Sequence, residues 1–215
     1  MTMSLVLPPL YAIMDAALLR ISELAFFQML VDAGVTLIQY RHKQASPREY
    51  FHTSLELANF SRPRGIRFVV NDRPDIAWLV GAGGVHVGQE DLAVEQARRI
   101  VGNDCWVGVS THTEEQFCSA ATTSADYIAV GPIFPTTTKE RPDPVVGVEF
   151  VRRMRPLTAK PIVAIGGITL ERAEAVWRAG ADSVAVAADL LQAADPARRA
   201  RQYLELAASV FPQTH

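Results

Sequence analysis

The chain has 215 residues, of which 49% are hydrophobic, and its formal net charge is −2. This length suits one domain, residues 1–215, with a substantial core, because single α/β barrels run to roughly 200–250 residues. The charge is too small for a global basic field, so nucleic acid is not an expected partner. No apolar stretch reaches the roughly 18 residues of a membrane helix, and no signal-peptide pattern opens the chain, so we expect no membrane partner and a cytoplasmic protein.

Short apolar runs rich in Val and Ile alternate with longer amphipathic segments, a pattern typical of βα units and a parallel sheet. The predicted strands are Leu10 to Asp15, Val35 to Arg41, Ile66 to Val70, Gly84 to Val87, Trp106 to Ser110, Tyr127 to Gly131, Pro161 to Ile165 and Ser183 to Ala187. The predicted helices are Glu23 to Ala33, Arg48 to Phe60, Asp75 to Val80, Val94 to Val101, Glu114 to Thr122, Val148 to Met154, Leu170 to Ala179 and Asp195 to about Val210. Eight such units predict a single (β/α)8 TIM barrel, with an open doubly wound sheet as the alternative.

Polar residues follow nearly every predicted strand, and in a TIM barrel the active site forms at the C-terminal ends of the strands. On the second strand Gln39, Arg41 and Lys43 are spaced by two, so an extended chain turns all three side chains to one face. Val35 and Leu37 share this parity, so the face begins apolar and becomes cationic at the mouth of the barrel. Two cations there suit a polyanion; the alternative is a pair of solvated loop charges.

Carboxylates follow two neighbouring strands. Asn71 and Asp72 end the third predicted strand, and Asp91 follows the fourth. A pair of hard oxygen ligands that leaves several positions for water and phosphate oxygens suits Mg²⁺, which is therefore the predicted cofactor. The alternative is helix capping, with Asn71 or Asp72 capping the third helix and Asp91 capping the helix that begins near Ala93.

Three segments carry groups that a phosphate ester needs. The run Gly131 to Lys139, GPIFPTTTK, presents backbone N–H groups, threonine hydroxyls and one ammonium after the sixth strand. Gly166 and Gly167 follow the seventh strand, where glycine lets the backbone approach an anion, with a simple tight turn as the alternative. Residues 186–188, at the end of the eighth predicted unit and before Asp189, would add free backbone N–H groups to the phosphate site. A small phosphorylated molecule is therefore the predicted ligand.

The histidines and cysteines carry weaker signals. His86 lies within the fourth predicted strand, where a hydrogen-bonded core histidine is the first interpretation. His112 follows Ser110 in a loop, and a solvated side chain is the simplest interpretation. Neither belongs to a visible Ser/His/Asp arrangement, so acyl transfer is disfavoured. Cys105 and Cys118 have no metal-ligand spacing and are expected to be reduced and structural.

Several motifs occur in a fixed order between about Tyr11 and Leu190, namely NDRPDIA, GGVHVGQEDL, VGVSTHT, ADYIAVGPIFPTTTK, GVEF and PIVAIGGIT. In order and spacing they resemble the motifs of the thiamine phosphate synthase family, and GQED together with GPIFPTTTK is the most specific part. The resemblance implies a transferase that joins 4-amino-5-hydroxymethyl-2-methylpyrimidine diphosphate to 4-methyl-5-(2-phosphoethyl)thiazole. The products would be thiamine phosphate and pyrophosphate, formed by a dissociative mechanism.

The resemblance also implies roles for individual residues. Asp72 and Asp91 would coordinate Mg²⁺. The catalytic residues would be Arg41, Lys43, Lys139 and Ser110. The pyrimidine diphosphate would be bound by Gln39, Arg41, Lys43, Asn71, Ser110 and Lys139. The thiazole phosphate would be bound by Thr136, Thr138, Gly167 and the backbone of Val186 and Ala187. The expected partners are these phosphorylated small molecules and a second copy of the chain in a homodimer.

Two positions depart from the family pattern. His42 stands where the family's REK triplet has glutamate, although its parity points it away from Arg41 and Lys43. Ala187 and Ala188 replace a small hydroxyl residue that usually follows the last strand. The thiazole phosphate would then be bound by backbone N–H groups without help from a hydroxyl.

Two alternatives share the barrel and the phosphate site. A thiazole tautomerase-like relative would move a proton instead of joining two rings, but such relatives look altered in the GQED and TTTK segments. The presence of Asp72, Asp91 and Lys139 together favours the synthase. A non-catalytic phosphate-binding barrel is supported only by His42 and the absent hydroxyl.

Overall fold

The computed structural model describes residues 5–136 and 143–211, and within them eight parallel strands form a closed barrel. Each strand pairs with the next one in the chain, and the eighth pairs with the first. The strands are β1 (Leu10–Asp15), β2 (Leu37–Arg41), β3 (Arg67–Asn71), β4 (Gly84–Val87), β5 (Trp106–Thr111), β6 (Tyr127–Val130), β7 (Ile162–Ile165) and β8 (Ser183–Val186). The closed order confirms the predicted TIM barrel and excludes the open sheet.

Helices follow the strands around the outside of the barrel. They are α1 (Glu23–Asp32), α2 (Pro47–Ser61), α3 (Pro74–Val80), α4 (Val94–Val101), α5 (Glu114–Thr122), α6 (Val148–Met154), α7 (Leu170–Arg178), α8 (Ala188–Leu191) and α9 (Pro196–Val210). Short 3-10 helices occupy Ala16–Leu18, Arg62–Arg64 and Arg155–Leu157. The sequence did not predict α8, because four residues are too few to show a helical period. None of the helices in the described ranges is long and apolar enough to cross a membrane.

The start of β2 corrects one prediction. The strand begins at Leu37, and Val35 packs with the core that lies outside the barrel instead of facing its interior. The cause is the end of α1, where Gly34 has a φ of 96° and the Val35 N–H donates to the Leu30 carbonyl at 3.0 Å. This is a Schellman-type ending, which uses the backbone of Val35 to close the helix before the strand starts.

The hydrophobic residues form two layers. The barrel interior is filled by Leu7, Tyr11, Ile13, Leu37, Val69, Tyr127, Ala129, Val163 and Ala185. The alternate strand residues point outwards and pack against the helices, as Ile38 and Phe68 do. Because strand side chains alternate, the inward direction of Leu37 also places Gln39 and Arg41 on the interior face. The sequence-predicted parity of these two residues is therefore confirmed.

Candidate active site

The ends of β1 and β2 bring Asp15 and Arg41 together. The two residues are register partners, and the Arg41 Nη1 donates to Asp15 Oδ2 in an ion pair. The Asp15 side chain is only 4% exposed and the Arg41 side chain 22%. Asp15 Oδ1 also accepts the Ala17 N–H at 3.1 Å, at the start of the first 3-10 helix. A buried, backbone-bound carboxylate thus holds Arg41 at the mouth of the barrel.

A second ion pair joins Lys43, just beyond β2, to Asp72, just beyond β3. Asp72 has a φ of 62°, a left-handed conformation that is uncommon for residues other than glycine. Its N–H donates to the His86 carbonyl at 2.8 Å, so the turn remains bonded to β4. Backbone strain of this kind is concentrated at functional sites, where the surrounding structure must maintain it.

Asp91 lies beside Asp72. Burial raises the pKa of the Asp91 carboxyl, and its hydrogen bond with the Asp72 carboxylate raises it further, while the Gly88 N–H lowers it. The Gly88 N–H donates to Asp91 Oδ2 at 2.7 Å and fixes the side chain. Two adjacent carboxylates in partial burial repel each other unless a proton or a cation lies between them.

The helix-capping alternatives for these aspartates are wrong. The residue that caps α3 is Arg73, which makes no side-chain capping bond. The residue that caps α4 is Ala93, whose N–H is bound by the side chain of Gln96 at 2.8 Å. Asp72 and Asp91 therefore face each other and the neighbouring Lys43 instead of the helix starts.

A line of buried polar side chains crosses the barrel beneath this rim. Gln39 Nε2 donates to the Tyr11 hydroxyl at 2.7 Å, and the Tyr11 and Tyr127 hydroxyls are 3.0 Å apart. The Tyr127 hydroxyl lies 3.1 Å from His86 Nδ1, and His86 Nε2 lies 2.8 Å from Ser110 Oγ. Burial raises the pKa of both tyrosines far above the usual range, so both keep their protons. The interpretation of His86 as a hydrogen-bonded core residue fits this arrangement.

The barrel accommodates the Tyr127 ring because its strand neighbour on β5 has no side chain. Gly108 is the register partner of Tyr127, and a Cβ at Gly108 would lie 2.0 Å from a carbon of the ring. The ring therefore occupies the volume that any other residue at position 108 would need. Tyr127 also stacks on the His86 ring, with centroids 5.6 Å apart and an interplanar angle of 24°.

A cavity of about 140 Å³ opens above this layer at the C-terminal ends of the strands. Its walls are formed by Ile13, Asp15, Arg41, Ser110, His112, Gly131, Pro132, Thr136, Asp143, Ile165, Gly166, Gly167, Ile168, Ala185, Ala187 and Ala188. Five predicted site residues are therefore brought to one cavity: Arg41, Ser110, Thr136, Gly167 and Ala187.

The other predicted site residues within the described part of the chain do not line this cavity. Lys43, Asp72 and Asp91 form a cluster at the neighbouring rim. Gln39 and Asn71 are buried, and Val186 ends β8 with its side chain in the outer core, which leaves its backbone as the part that could face a ligand. Thr138 and Lys139 lie outside the described residues.

The glycines after β7 allow a close backbone approach. Gly167 has a φ of 63°, and a Cβ there would lie 2.4 Å from the Pro135 carbonyl oxygen. The Phe134 N–H donates to the Gly166 carbonyl at 3.0 Å, so the segment after β6 is bonded to the segment after β7. Ala187 and Ala188, at the start of α8, face the same cavity. The pocket here is lined by backbone and small side chains.

His112 lines the cavity although the sequence predicts no role for it in the site, and its interpretation as a solvated loop residue is wrong. Its side chain is 14% exposed, with Nδ1 lying 2.6 Å from the Gly131 carbonyl and Nε2 lying 3.4 Å from Asp143 Oδ2. One signal was present in the sequence: His112 shares the inward parity of Ser110, just as Arg41 shares that of Gln39. No such pattern marks Asp143, because it lies in the segment between β6 and α6, where no strand period applies.

The fold and this cavity define a protein of the (β/α)8-barrel class whose site lies at the C-terminal ends of the strands. A family model described as thiamine monophosphate synthase matches residues 10–190 of the chain. The chain belongs to this family, and the resemblance seen in the motifs is confirmed.

Curated relatives and a solved structure agree with this assignment. A thiamine-phosphate synthase of Koribacter versatilis is 49% identical over 96% of this chain and 99% of its own length. One of Chloroflexus aurantiacus is 44% identical over 90% of this chain and 89% of its own length. The structure of a thiamine phosphate pyrophosphorylase from Pyrococcus furiosus superposes with a TM-score of 0.85 at 30% identity, covering 94% of this chain and 97% of that one.

Proposed function

We propose that the protein is a thiamine phosphate synthase, a transferase that joins 4-amino-5-hydroxymethyl-2-methylpyrimidine diphosphate to 4-methyl-5-(2-phosphoethyl)thiazole. Family membership and the names of relatives at 49% and 44% identity support this reaction. The observation that carries the proposal is that Arg41 and Gly167 line one cavity. A cation and a glycine-lined backbone pocket in one cavity suit two phosphorylated substrates that must meet.

The diphosphate would bind at the β2 end. Arg41 lines the cavity, and Lys43 lies at the neighbouring rim, so both cations can donate hydrogen bonds to phosphate oxygens. Each cation is paired with a carboxylate, Arg41 with Asp15 and Lys43 with Asp72, which keeps it oriented. We assign Lys139 to the same group, and Gln39, Asn71 and Ser110 to the pyrimidine diphosphate as well.

We assign Asp72 and Asp91 to Mg²⁺. Two adjacent carboxylates, one with a raised pKa, form a set of hard oxygen donors that fits this cation. Among the described residues no group of three or more Asp, Glu, His or Cys side chains could hold a metal ion. We assign the other coordination positions to water and phosphate oxygens, which Mg²⁺ commonly keeps in phosphate sites. When bound, Mg²⁺ would supply positive charge that stabilises the departing pyrophosphate.

The thiazole phosphate would bind at the β7 and β8 ends. Thr136 and Gly167 line the cavity, together with Ala187. We assign the phosphate to the Thr136 hydroxyl and to backbone N–H groups at Gly167, Val186 and Ala187, with Thr138 as a further donor. Because neither Ala187 nor Ala188 has a hydroxyl, backbone N–H groups would make most of the hydrogen bonds to the thiazole phosphate.

The proposed reaction breaks one bond and forms another, and the cavity walls must protect the intermediate between these two events. In the dissociative route the C–O bond to the diphosphate breaks first, pyrophosphate takes the electron pair, and the thiazole nitrogen then donates its lone pair to the pyrimidinylmethyl cation. That cation must be kept from water. Ile13, Ile165 and Ile168 provide apolar surface within the same cavity. Arg41 and Lys43 would stabilise the charge that develops on the leaving group.

The test is a product assay with purified protein, both substrates and Mg²⁺. We expect thiamine phosphate by mass spectrometry and one pyrophosphate released for each molecule formed. Omission of the thiazole phosphate is the control, and it should abolish the thiamine phosphate signal. The proposal would be wrong if saturating substrates gave no product.

We further propose a single domain, a homodimer and a cytoplasmic location.

A further inference from the structure

The buried polar side chains inside the barrel form one continuous series of hydrogen bonds. Its five members, in order, are Gln39, Tyr11, Tyr127, His86 and Ser110. Ser110 is the only one of the five that lines the cavity. The other four lie beneath the cavity and are buried. Ser110 is therefore the member of the series that a ligand in the cavity would contact.

The contacts of Tyr11 limit the direction of the bonds that follow. Gln39 Nε2 donates to the Tyr11 oxygen, and among the contacts of the described residues the Tyr127 oxygen, 3.0 Å away, is the one acceptor within reach of the buried Tyr11 proton. Tyr127 then has its own proton for His86 Nδ1, at 3.1 Å. A nitrogen that accepts this proton cannot carry one itself in the neutral ring, so the ring proton belongs on Nε2.

We infer that this series holds His86 as the neutral Nε2–H tautomer and makes Ser110 a hydrogen-bond donor to the ligand. Nε2–H donates to Ser110 Oγ across 2.8 Å, which leaves the serine proton free to point into the cavity. The ligand atom that it meets must carry a lone pair. Within the proposed function, on which this last step rests, a ring nitrogen of the pyrimidine has this chemistry.

Tyr11, Tyr127 and His86 are positioning residues in this scheme, because they act on the ligand through Ser110. Their geometry is held by packing as well as by hydrogen bonds. The Tyr11 and Tyr127 rings meet edge to face with centroids 6.0 Å apart, and His86 stacks on Tyr127 at 5.6 Å. Removal of one hydroxyl should therefore leave the rings in place while it interrupts the series.

The direct test is the ¹⁵N chemical shifts of histidine ring nitrogens in the ligand-free protein near neutral pH, with the His86 signals assigned by their absence in His86→Asn. We expect a protonated Nε2 and an unprotonated Nδ1. A protonated Nδ1 would overturn the inference, because Tyr127 would then be an acceptor and the serine proton would point at His86. This measurement needs no substrate, so it stands apart from any failure of the proposed function.

Tyr127→Phe tests the coupling to the ligand. We expect loss of the single-tautomer signal and a rise of about three- to tenfold in KM for the pyrimidine diphosphate with kcat nearly unchanged, as for one lost neutral hydrogen bond.

Tyr203→Phe is the matched control, since it also removes a buried tyrosine hydroxyl, one that donates to Asp189 at 2.7 Å. It should leave both readouts as in the native chain. An unchanged tautomer in Tyr127→Phe, with melting temperature preserved, would contradict the scheme.

Discussion

Asp15 is almost completely buried, yet it is bonded to the Arg41 guanidinium at the edge of the cavity. The carboxylate thereby fixes the direction of the one cation that both ends a strand and lines the cavity wall in the described part of the chain. Since the backbone N–H of Ala17 holds the other carboxylate oxygen, the ion pair is rigid on the aspartate side. The position of Arg41 is therefore determined before any substrate arrives.

We expect Asp15→Asn to weaken catalysis while the fold is retained. The amide oxygen can still accept the Ala17 N–H, but the charge that orients Arg41 is lost. A hydrogen bond to a charged group contributes about 1.5–3 kcal/mol, so kcat/KM should fall by roughly tenfold or more. Steady-state kinetics with varied pyrimidine diphosphate measures this change.

The matched control is Asp75→Asn, which removes a surface ion pair with Arg73. The Asp75 side chain is 51% exposed, and exposed pairs of this kind contribute little. Its kinetics should match those of the native protein. Equal kinetics for Asp15→Asn and the native protein would mean that the buried pair has only a structural role.

Asp91→Asn should raise the Mg²⁺ concentration needed for half-maximal activity by about tenfold or more, because one charged ligand of the proposed pair is removed. The amide oxygen keeps the acceptor for the Gly88 N–H, so the turn is preserved. A magnesium titration of the initial rate is the measurement. Glu90→Gln, at an exposed neighbouring position, is the control and should change nothing. An unaltered titration for Asp91→Asn would remove Asp91 from the metal site.

Local sequence patterns predicted most of the fold. The strand and helix boundaries fall within two residues of those observed, because apolar periodicity, proline and glycine mark them. The same period of two placed Gln39 and Arg41 inside the barrel. It failed at Val35, where a helix ending takes precedence over strand pairing.

The site was less accessible to sequence reasoning, because its contacts join distant parts of the chain. The approach of Asp143 to His112 depends on the path of the segment after β6, which no local pattern specifies. The series from Gln39 to Ser110 likewise depends on which residues face each other across a closed barrel. Residue type and parity suggested the members of the site, but their partners required the structure.

Gly167→Ala should lower stability and substrate affinity by more than the backbone strain of a positive φ alone would cause. A residue with Cβ at this φ costs roughly 1–2 kcal/mol, and here the added atom would also meet the Pro135 carbonyl oxygen at 2.4 Å. We expect a lower melting temperature and a higher KM for the thiazole phosphate.

Gly65→Ala is the control for this prediction, because it introduces the same backbone strain without a steric contact. Gly65 has a φ of 67°, nearly that of Gly167, but nothing lies within 4 Å of an added Cβ. It should show the loss of stability that comes from strain and an unchanged KM. If both variants lost the same stability and kept the same KM, the contact with Pro135 would have no role in the site.

The two cysteines should differ in thiol reactivity. Burial raises the pKa of the Cys105 thiol to about 11, whereas Cys118 is exposed on α5. A raised pKa leaves Cys105 protonated at pH 8, and the protonated thiol is a poor nucleophile. Titration of the native protein with Ellman's reagent at pH 8 should give one fast thiol. Cys118→Ser should abolish the fast phase; its persistence would show that Cys105 is accessible.

Gly108 does not line the cavity, yet its lack of a side chain makes room for the Tyr127 ring inside the barrel. The Tyr127 ring fills the space beside it, so even alanine at position 108 would displace the ring. A deep mutational scan should therefore find this position as intolerant as the ligand-contacting ones. Redesign of the barrel for a bulkier heterocycle would have to begin at Gly108 and Tyr127, because the Tyr127 ring occupies the volume that a side chain at position 108 would need.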